Sequence, residues 1–264
     1  MNFLEHKEGK FNEIKKIITH GGAFHADELL AIATFKLFTG MDNVPVERVF
    51  KVSEEDIKNS NVFVIDIGGY FSVGSNNYDH HQDENLQASN LLVLGSVCGD
   101  PKLLTKLLPF YNRVSDIDRG LRIAEPCEFN SIVRNFNSLS CSSGFEIASS
   151  FVKCALNALI ETSIKAIESE SVWDSLDTAY DGKVKIEPDG VLMPDWKSLA
   201  ERDGVLLLAS PNTRGGWQLV SRDSNEINIP VSPTQTFRHA SGFMAVYGSK
   251  ADAMIHAKSI VDSL

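Results

Sequence analysis

Asp79, His80 and His81 stand in a row, and each of the three side chains can bind a divalent metal or move a proton. They have company. Upstream runs Thr19-His20-Gly21-Gly22-Ala23-Phe24-His25-Ala26-Asp27-Glu28, between the two lies Val64-Ile65-Asp66-Ile67-Gly68-Gly69, and downstream comes Ser115-Asp116-Ile117-Asp118-Arg119-Gly120. Neutral imidazole and carboxylate together suit Mn, Zn or Fe, and carboxylate also suits Mg. A pair of metals about 3.5–4 Å apart needs a bridging carboxylate and several terminal ligands. His20, His25, Asp27, Asp66, His80 and Asp118 make a complete set of six. Two ions so held would lower the pKa of a bound water and neutralise charge developing at phosphorus. Metal-assisted phosphoester hydrolysis is the leading expectation.

Each member taken alone has a plainer explanation. Asp27 and Glu28 would cap the helix that follows them and complement its dipole. Asp66 serves equally as a turn aspartate, although a carboxylate leaving an apolar strand is costly unless paired or metal-bound. Asp116 and Asp118 fall near the end of a helix, where negative charge opposes the dipole unless a cation compensates; either is a candidate ligand. The 79–81 triplet fits a ligand, an orienting partner and an acid, because a metal-bound His usually donates its other N–H to a carboxylate. The combination is far more specific than any of its parts.

An alternating α/β unit would position these groups. Ile14–Thr19, Val46–Val52 and Asn61–Ile67 read as strands, the last nearly all apolar, as a strand buried on both faces should be. Asp27–Phe38 has helical apolar spacing, and Ser53-Glu54-Glu55-Asp56 reads as a helix start. The His20 and Asp66 clusters then sit at the carboxyl ends of strands, where open α/β sheets bind ligands. From about 88 to 176 the pattern turns helical, with Asp100-Pro101 as an N-cap and first turn. A stripe of Ala148, Val152, Ala155, Leu156, Leu159, Ser163 and Ile167 faces a core. Between Tyr180 and Pro194 the chain becomes rich in Asp, Gly and Pro. Beyond it come short β-like runs at 205–208, 217–220 and 242–246, and a closing helix from Lys250. The expected fold is α/β: an N-terminal domain (1–180) with a mainly parallel sheet flanked by helices, and a smaller α+β domain (181–264).

The 264 residues, 43% hydrophobic and 23% charged, are ordinary for a globular protein with a sizeable core. No run of 18 or more apolar residues appears, so no membrane span is expected. Met1–Lys16 has no apolar stretch of the kind a signal peptide carries, and acids interrupt its lysines. Cys98, Cys127, Cys141 and Cys154 are well separated with no Cys-x-x-Cys, as reduced thiols of a cytoplasmic protein would be. A net charge of −10 repels nucleic acid in bulk and argues against a general coat protein. It leaves a nuclease open, because two divalent ions reverse the local field.

The motifs resemble those of the DHH phosphoesterase superfamily, named for the triplet that stands at 79–81. The superfamily includes family II inorganic pyrophosphatases, single-strand exonucleases and nano-RNA/pAp phosphatases. The chain more closely resembles the melanocyte-proliferating-gene family, whose eukaryotic members are described as 3′–5′ RNA exonucleases. That family's motifs read like Thr19–Glu28, Asp66–Gly69, Tyr78–Gln82 and Asp118-Arg119-Gly120, with a further signature like His239-Ala240-Ser241-Gly242-Phe243. The resemblance implies that His20, His25, Asp27, Asp66, His80 and Asp118 hold two divalent ions, Mn before Mg or another metal, with Asp66 bridging. It implies that His81 faces the phosphate as donor or general acid, while Asp79 orients a histidine. It also implies that a smaller C-terminal domain contacts substrate, which brings in Arg214, Gly215, Gly216, Arg238, His239 and Gly242, with Arg134 acting from the helical part. Any one of these arginines alone is equally a solvated surface residue. The chain departs from the pattern in two places: His25 stands where the superfamily commonly has Asp, and Arg119 where the family usually has Asn.

Three functions follow in order. The first is a metal-dependent 3′–5′ exonuclease on single-stranded or short RNA. The second is a small-molecule phosphohydrolase acting on pyrophosphate, pAp or a nucleotide, which the acidic charge and the lack of a long basic or aromatic stripe favour. The third is a non-enzymatic metal-binding protein. An oligomer is compatible with any of them.

Overall fold

The computed structural model describes residues 11, 14–139, 143–191 and 193–264. Cys141 and most of the Met1–Lys16 stretch lie outside them. The chain folds as two compact units, 1–164 and 165–264.

The first unit is built on a five-stranded sheet: β1 (Lys16–His20), β2 (Val46–Val49), β3 (Val62–Ile65), β4 (Phe71–Ser72) and β5 (Asn77–Tyr78). The order is β2-β1-β3-β5-β4, parallel throughout except for the edge strand β4. All four residues of β3, Val-Phe-Val-Ile, are buried, as an interior parallel strand requires. Each such side chain contributes about 1.5–3 kcal/mol of burial. Around the sheet lie α1 (Ala26–Thr39), α2 (Glu54–Lys58), α3 (Ser89–Val97), α4 (Pro101–Asp118), α5 (Phe129–Asn135) and the long α6 (Gly144–Ser175). Helix α1 packs on α3 and α4 and stops at Gly40, whose left-handed φ of 70° suits glycine. Asp100 caps α4, its carboxylate accepting the Lys102 and Leu103 amides at 2.8 and 3.2 Å.

One strand boundary differs from the sequence expectation. The second strand ends at Val49 rather than Val52. Its partner β1 ends at His20, and the Val49 carbonyl takes the Gly21 N–H at 2.7 Å as a last rung. The expected stripe on α6 is buried at Ala148, Val152, Leu156, Ser163 and Ile167. By length and composition alone α6 could cross a membrane. Its other face carries exposed Ser150, Asn157 and Glu161, the amphipathic pattern of a helix on a core.

The second unit holds a six-stranded sheet in the order β10-β11-β9-β8-β7-β6. The strands are β6 (Asp177–Ala179), β7 (Val184–Ile186), β8 (Leu207–Pro211), β9 (Trp217–Ser221), β10 (Gln235–Arg238) and β11 (Met244–Tyr247), with helices α7 (Trp196–Asp203) and α8 (Lys250–Asp262). Only β7 and β8 pair in parallel. The units divide within α6. The Asp/Gly/Pro-rich stretch begins with the turn of the β6–β7 hairpin, where Tyr180, Asp181 and Gly182 all adopt positive φ.

Candidate metal centre

Strand register sets the site. Thr19 pairs with Ile65, and Ile65 with Tyr78. The next residues along, His20, Asp66 and Asp79, therefore leave the sheet side by side at its carboxyl edge. Asp66 turns at once into a left-handed conformation (φ 58°), which Asp tolerates better than most residues. Its amide still donates to the Tyr78 carbonyl at 3.1 Å. Two helix ends complete the ring: His25 is the N-cap of α1, followed in its first turn by Asp27 and Glu28, and Asp118 is the last residue of α4.

The donor atoms fall into three overlapping groups, each with all its members within 4.8 Å of one another: His20, His25, Glu28 and Asp66; Asp66, His80 and His81; and His25, Asp27 and Asp118. Asp66 belongs to two groups and His25 to two. His20 Nε2 lies 3.1 Å from Glu28 and 3.4 Å from Asp66. His80 Nε2 lies 3.3 Å from Asp66 and 3.2 Å from Asp118. Close as these approaches are, neither nitrogen makes a hydrogen bond of acceptable direction, and both oxygens of the fully buried Asp27 are also without a hydrogen-bond partner. Buried polar atoms are rarely left so. A converging set of imidazole nitrogens and carboxylate oxygens, buried and unsatisfied, fits divalent cations.

The electrostatics point the same way. Burial pushes the Asp27 carboxyl well above the carboxylate range, and the Asp66 and Asp118 charges add to it. Burial also raises Glu28, against the His20 contact. The Glu28 carboxylate beside His20 pushes that imidazole up to about 9. Burial works against a charge on His80, but Asp118 and Asp66 outweigh it and hold the ring at about 9. Without metal, protons are the cations that keep the carboxylates together.

Around this core is an orienting layer. Asp79 Oδ1 receives His81 Nδ1 at 2.7 Å, and its Oδ2 takes the Gly69 N–H at 2.6 Å. Burial would raise Asp79, yet His81 and the Gly69 amide hold it below the usual range. Ser89 Oγ donates to Asp66 Oδ1 at 3.1 Å and to the Tyr78 carbonyl at 2.8 Å. Asn137 clamps the loop after His20, bonding both the amide and the carbonyl of Phe24 at 3.0 and 2.8 Å.

The geometry thus brings together His20, His25, Asp27, Asp66, His80 and Asp118, with Asp79 and His81 alongside. Of the two α4 acids it takes Asp118; the carbonyl of Asp116 closes the following turn, accepting Leu121 N–H at 2.8 Å. Two residues went unread as site members in the sequence. Glu28 does cap α1, accepting the His25 amide at 2.8 Å, but the same buried carboxylate faces His20. Ser89 gave no signal, since a serine opening a helix is commonplace. A cleft of about 610 Å³ opens beside His25, His80, His81, Asp118 and Arg119. A recess of about 240 Å³ joins His25 and Asp118 to Arg134.

The C-terminal residues singled out earlier lie in two places within their own unit. Arg214 and Gly215, in the β8–β9 turn, line a recess of about 420 Å³ with Phe237. The Arg238 guanidinium is engaged internally, donating to Ile229 O at 2.6 Å, Asn228 Oδ1 at 2.7 Å, and the His239 and Ala240 carbonyls. A Cβ on Gly242 would collide with that Arg238–Asn228 pair. His239 is exposed, its Nδ1 accepting the Ser241 amide at 3.2 Å.

The similarity to known proteins falls on the N-terminal unit. The family described as "Uncharacterised protein family (UPF0160)", labelled MYG1 exonuclease, matches residues 16–93. A MYG1 protein of Chlamydia muridarum is 32% identical over 68 residues, covering 26% of this chain and 22% of that protein. A mouse (Mus musculus) protein named MYG1 exonuclease is 39% identical over 70 residues, 25% of this chain and 17% of its own length. A MYG1 protein of Schizosaccharomyces pombe is 33% identical over 73 residues, 28% and 21% respectively. The matches thus span about a fifth of these curated relatives. What the chain shares with the MYG1 exonuclease family is the stretch from β1 into α3, and every clustered donor except Asp118 lies inside it.

Proposed function

We propose that this chain is a metal-dependent phosphodiesterase that shortens single-stranded or short RNA from its 3′ end. The observation that carries the proposal is the trio of donor groups that share Asp66 and His25 and leave the Asp27 oxygens unsatisfied. The mouse relative's name, exonuclease, supports the polymeric substrate. His20, His25, Glu28, Asp66, His80, Asp27 and Asp118 would hold two divalent ions, with Mn the first candidate for so histidine-rich a set. When bound, such ions supply Lewis acidity, an activated water at neutral pH and a counter-charge for phosphorus.

The protein's own residues prepare the rest. Asp79 ties down His81 Nδ1 and so leaves Nε2 to face the phosphate. Asp79 also raises the His81 pKa, which favours the protonated ring that would serve the leaving oxygen. Ser89 holds Asp66 in its shared position. Arg134, at the edge of the smaller recess, suits contact with a substrate phosphate, while Arg119 lines the larger one with its guanidinium tied to Gln87 Oε1 at 3.1 Å and the Glu84 carbonyl at 2.8 Å. In the C-terminal unit, Arg214 with Gly215 would offer a cation to a substrate phosphate from the recess they line, with His239 and Gly242 in a turn that Arg238 builds. The free thiols Cys98, Cys127 and Cys154 fit a reducing, cytoplasmic setting.

The test is hydrolysis of a 5′-labelled oligoribonucleotide with Mn, with pyrophosphate and pAp in parallel. A ladder shortening from the 3′ end is expected. The net charge of −10 favours one rival, a small-molecule phosphohydrolase; an intact oligomer with phosphate released from the small substrates would establish it. Metal uptake with no turnover of any substrate would leave a metal-binding protein.

A further inference from the structure

Phe50, the residue after β2, is 90% exposed. A single exposed apolar side chain is ordinary, but the seating of this ring is not. The place a Cβ would occupy on Gly21 is only 3.3–3.4 Å from three of its atoms, and the corresponding place on Gly22 is 3.7 Å from one. Any larger residue at 21 would push the ring away. Gly21 follows His20 directly, so one edge of Phe50 rests on the loop that leaves the metal centre while the rest of the ring is open. That loop is firmly held. The Gly21 amide donates to Val49 O at 2.7 Å, Arg48 Nη2 donates to Gly22 O at 2.7 Å, and the Arg48 guanidinium lies over Phe145 at 4.5 Å and Phe24 at 5.6 Å. Lys51, also exposed, stands next in the chain.

We propose that Phe50 is a base-stacking residue of the substrate site: it receives a nucleobase of the chain being cut, with Lys51 available to the adjoining phosphate. This rests on the phosphodiesterase reading above and adds to it the residue that receives a base of the substrate. An open aromatic face on a rigid support, next to a cation and next to a phosphate-processing centre, is the combination that single-stranded nucleic acid uses. A protein partner would call for a contiguous apolar patch, whereas glycines and Lys51 adjoin this ring.

The decisive experiment compares an oligoribonucleotide with an abasic oligomer of the same length, in the Mn-loaded protein and in Phe50→Ala and Phe50→Trp. The wild type should favour the base-bearing oligomer in kcat/KM by about 5- to 150-fold, the range of base–aromatic stacking. Phe50→Ala should collapse that ratio towards one through KM, and Phe50→Trp should keep it. A ratio unchanged in Phe50→Ala overturns the proposal, and a simultaneous change in its gel-filtration size would assign the ring to a protein contact. If the wild type cleaves neither oligomer, the phosphodiesterase reading itself falls. Quenching of a 2-aminopurine oligomer then decides separately: quenching lost in Phe50→Ala supports stacking, and equal or absent quenching overturns it.

Discussion

In the C-terminal unit, buried Glu187 accepts the Asp189 and Gly190 amides at 2.8 and 2.6 Å, and buried Lys185 donates to the Trp173 carbonyl at 2.7 Å. Arg238 makes its four bonds to the 228–240 loop, and Tyr247 meets His256 at 2.5 Å. In the N-terminal unit, Asp27 is equally buried and has no hydrogen-bond partner, while His20 and His80 direct their Nε2 atoms among carboxylates without bonding them. The first arrangement gains stability from its polar groups. The second holds like charges together against their repulsion and desolvation. Such an arrangement persists only where surrounding structure enforces it and a ligand relieves it. The pairing teaches how to tell a structural polar group from a functional one within a single chain.

The largest expected effect comes from the residue shared by two groups. Asp66→Asn should lower Mn-dependent turnover by about a thousand-fold, the equivalent of several kcal/mol of lost charge stabilisation. Metal content measured by mass spectrometry should fall with it. A variant that keeps both would break the distinction between the units.

Proton competition comes next. Metal binding requires neutral imidazoles, while His20 and His80 sit at about 9 in the metal-free protein. Metal affinity should therefore weaken as pH falls below about 9, by up to roughly ten-fold per pH unit for each proton displaced. The metal-free protein should slope the other way. A raised histidine pKa contributes stability fully present below the ordinary 6.5, and that stability is lost as pH rises through about 9. Melting curves with and without Mn across this window should diverge, and parallel curves would refute the assignment.

Gly242→Ala probes the satisfied region. The added Cβ strikes the Arg238–Asn228 pair, and φ there is +70°. It should cost about 1–3 kcal/mol in urea unfolding, with Mn uptake unchanged. The smallest effect has the opposite sign. Asp27→Asn replaces a carboxyl that burial beside Asp66 and Asp118 forces to take up a proton with a side chain that needs none, so it should stabilise the metal-free protein near neutral pH by about 1–2 kcal/mol while reducing metal binding. A destabilised metal-free variant would mean that Asp27 is structural.

Much of this is legible in the amino-acid sequence alone. The buried run of β3, the Asp100 cap, the α6 stripe and the helix after Gly22 each rest on local pattern, and local pattern is what short-range sterics and burial obey. The strands β6, β7 and β10 were not legible. They are only three or four residues long, and Asp177-Thr178-Ala179 carries no alternation of its own; its strand state comes from pairing with β7. The length of β2 depended likewise on where its neighbour ended.

The sequence by itself determined which chemistry was present: the identity and order of His20, His25, Asp27, Asp66, Asp79, His80, His81 and Asp118, and the strand ends that carry His20 and Asp66. Tertiary structure alone decided the membership. Parallel register set His20, Asp66 and Asp79 in one row, the end of α4 delivered Asp118 rather than Asp116, and Glu28 became both cap and site residue. The physical reason is range. Side-chain type and local conformation are properties of a few neighbouring residues. Convergence of carboxylates from separate strands and helices is instead fixed by how the sheet and helices pack.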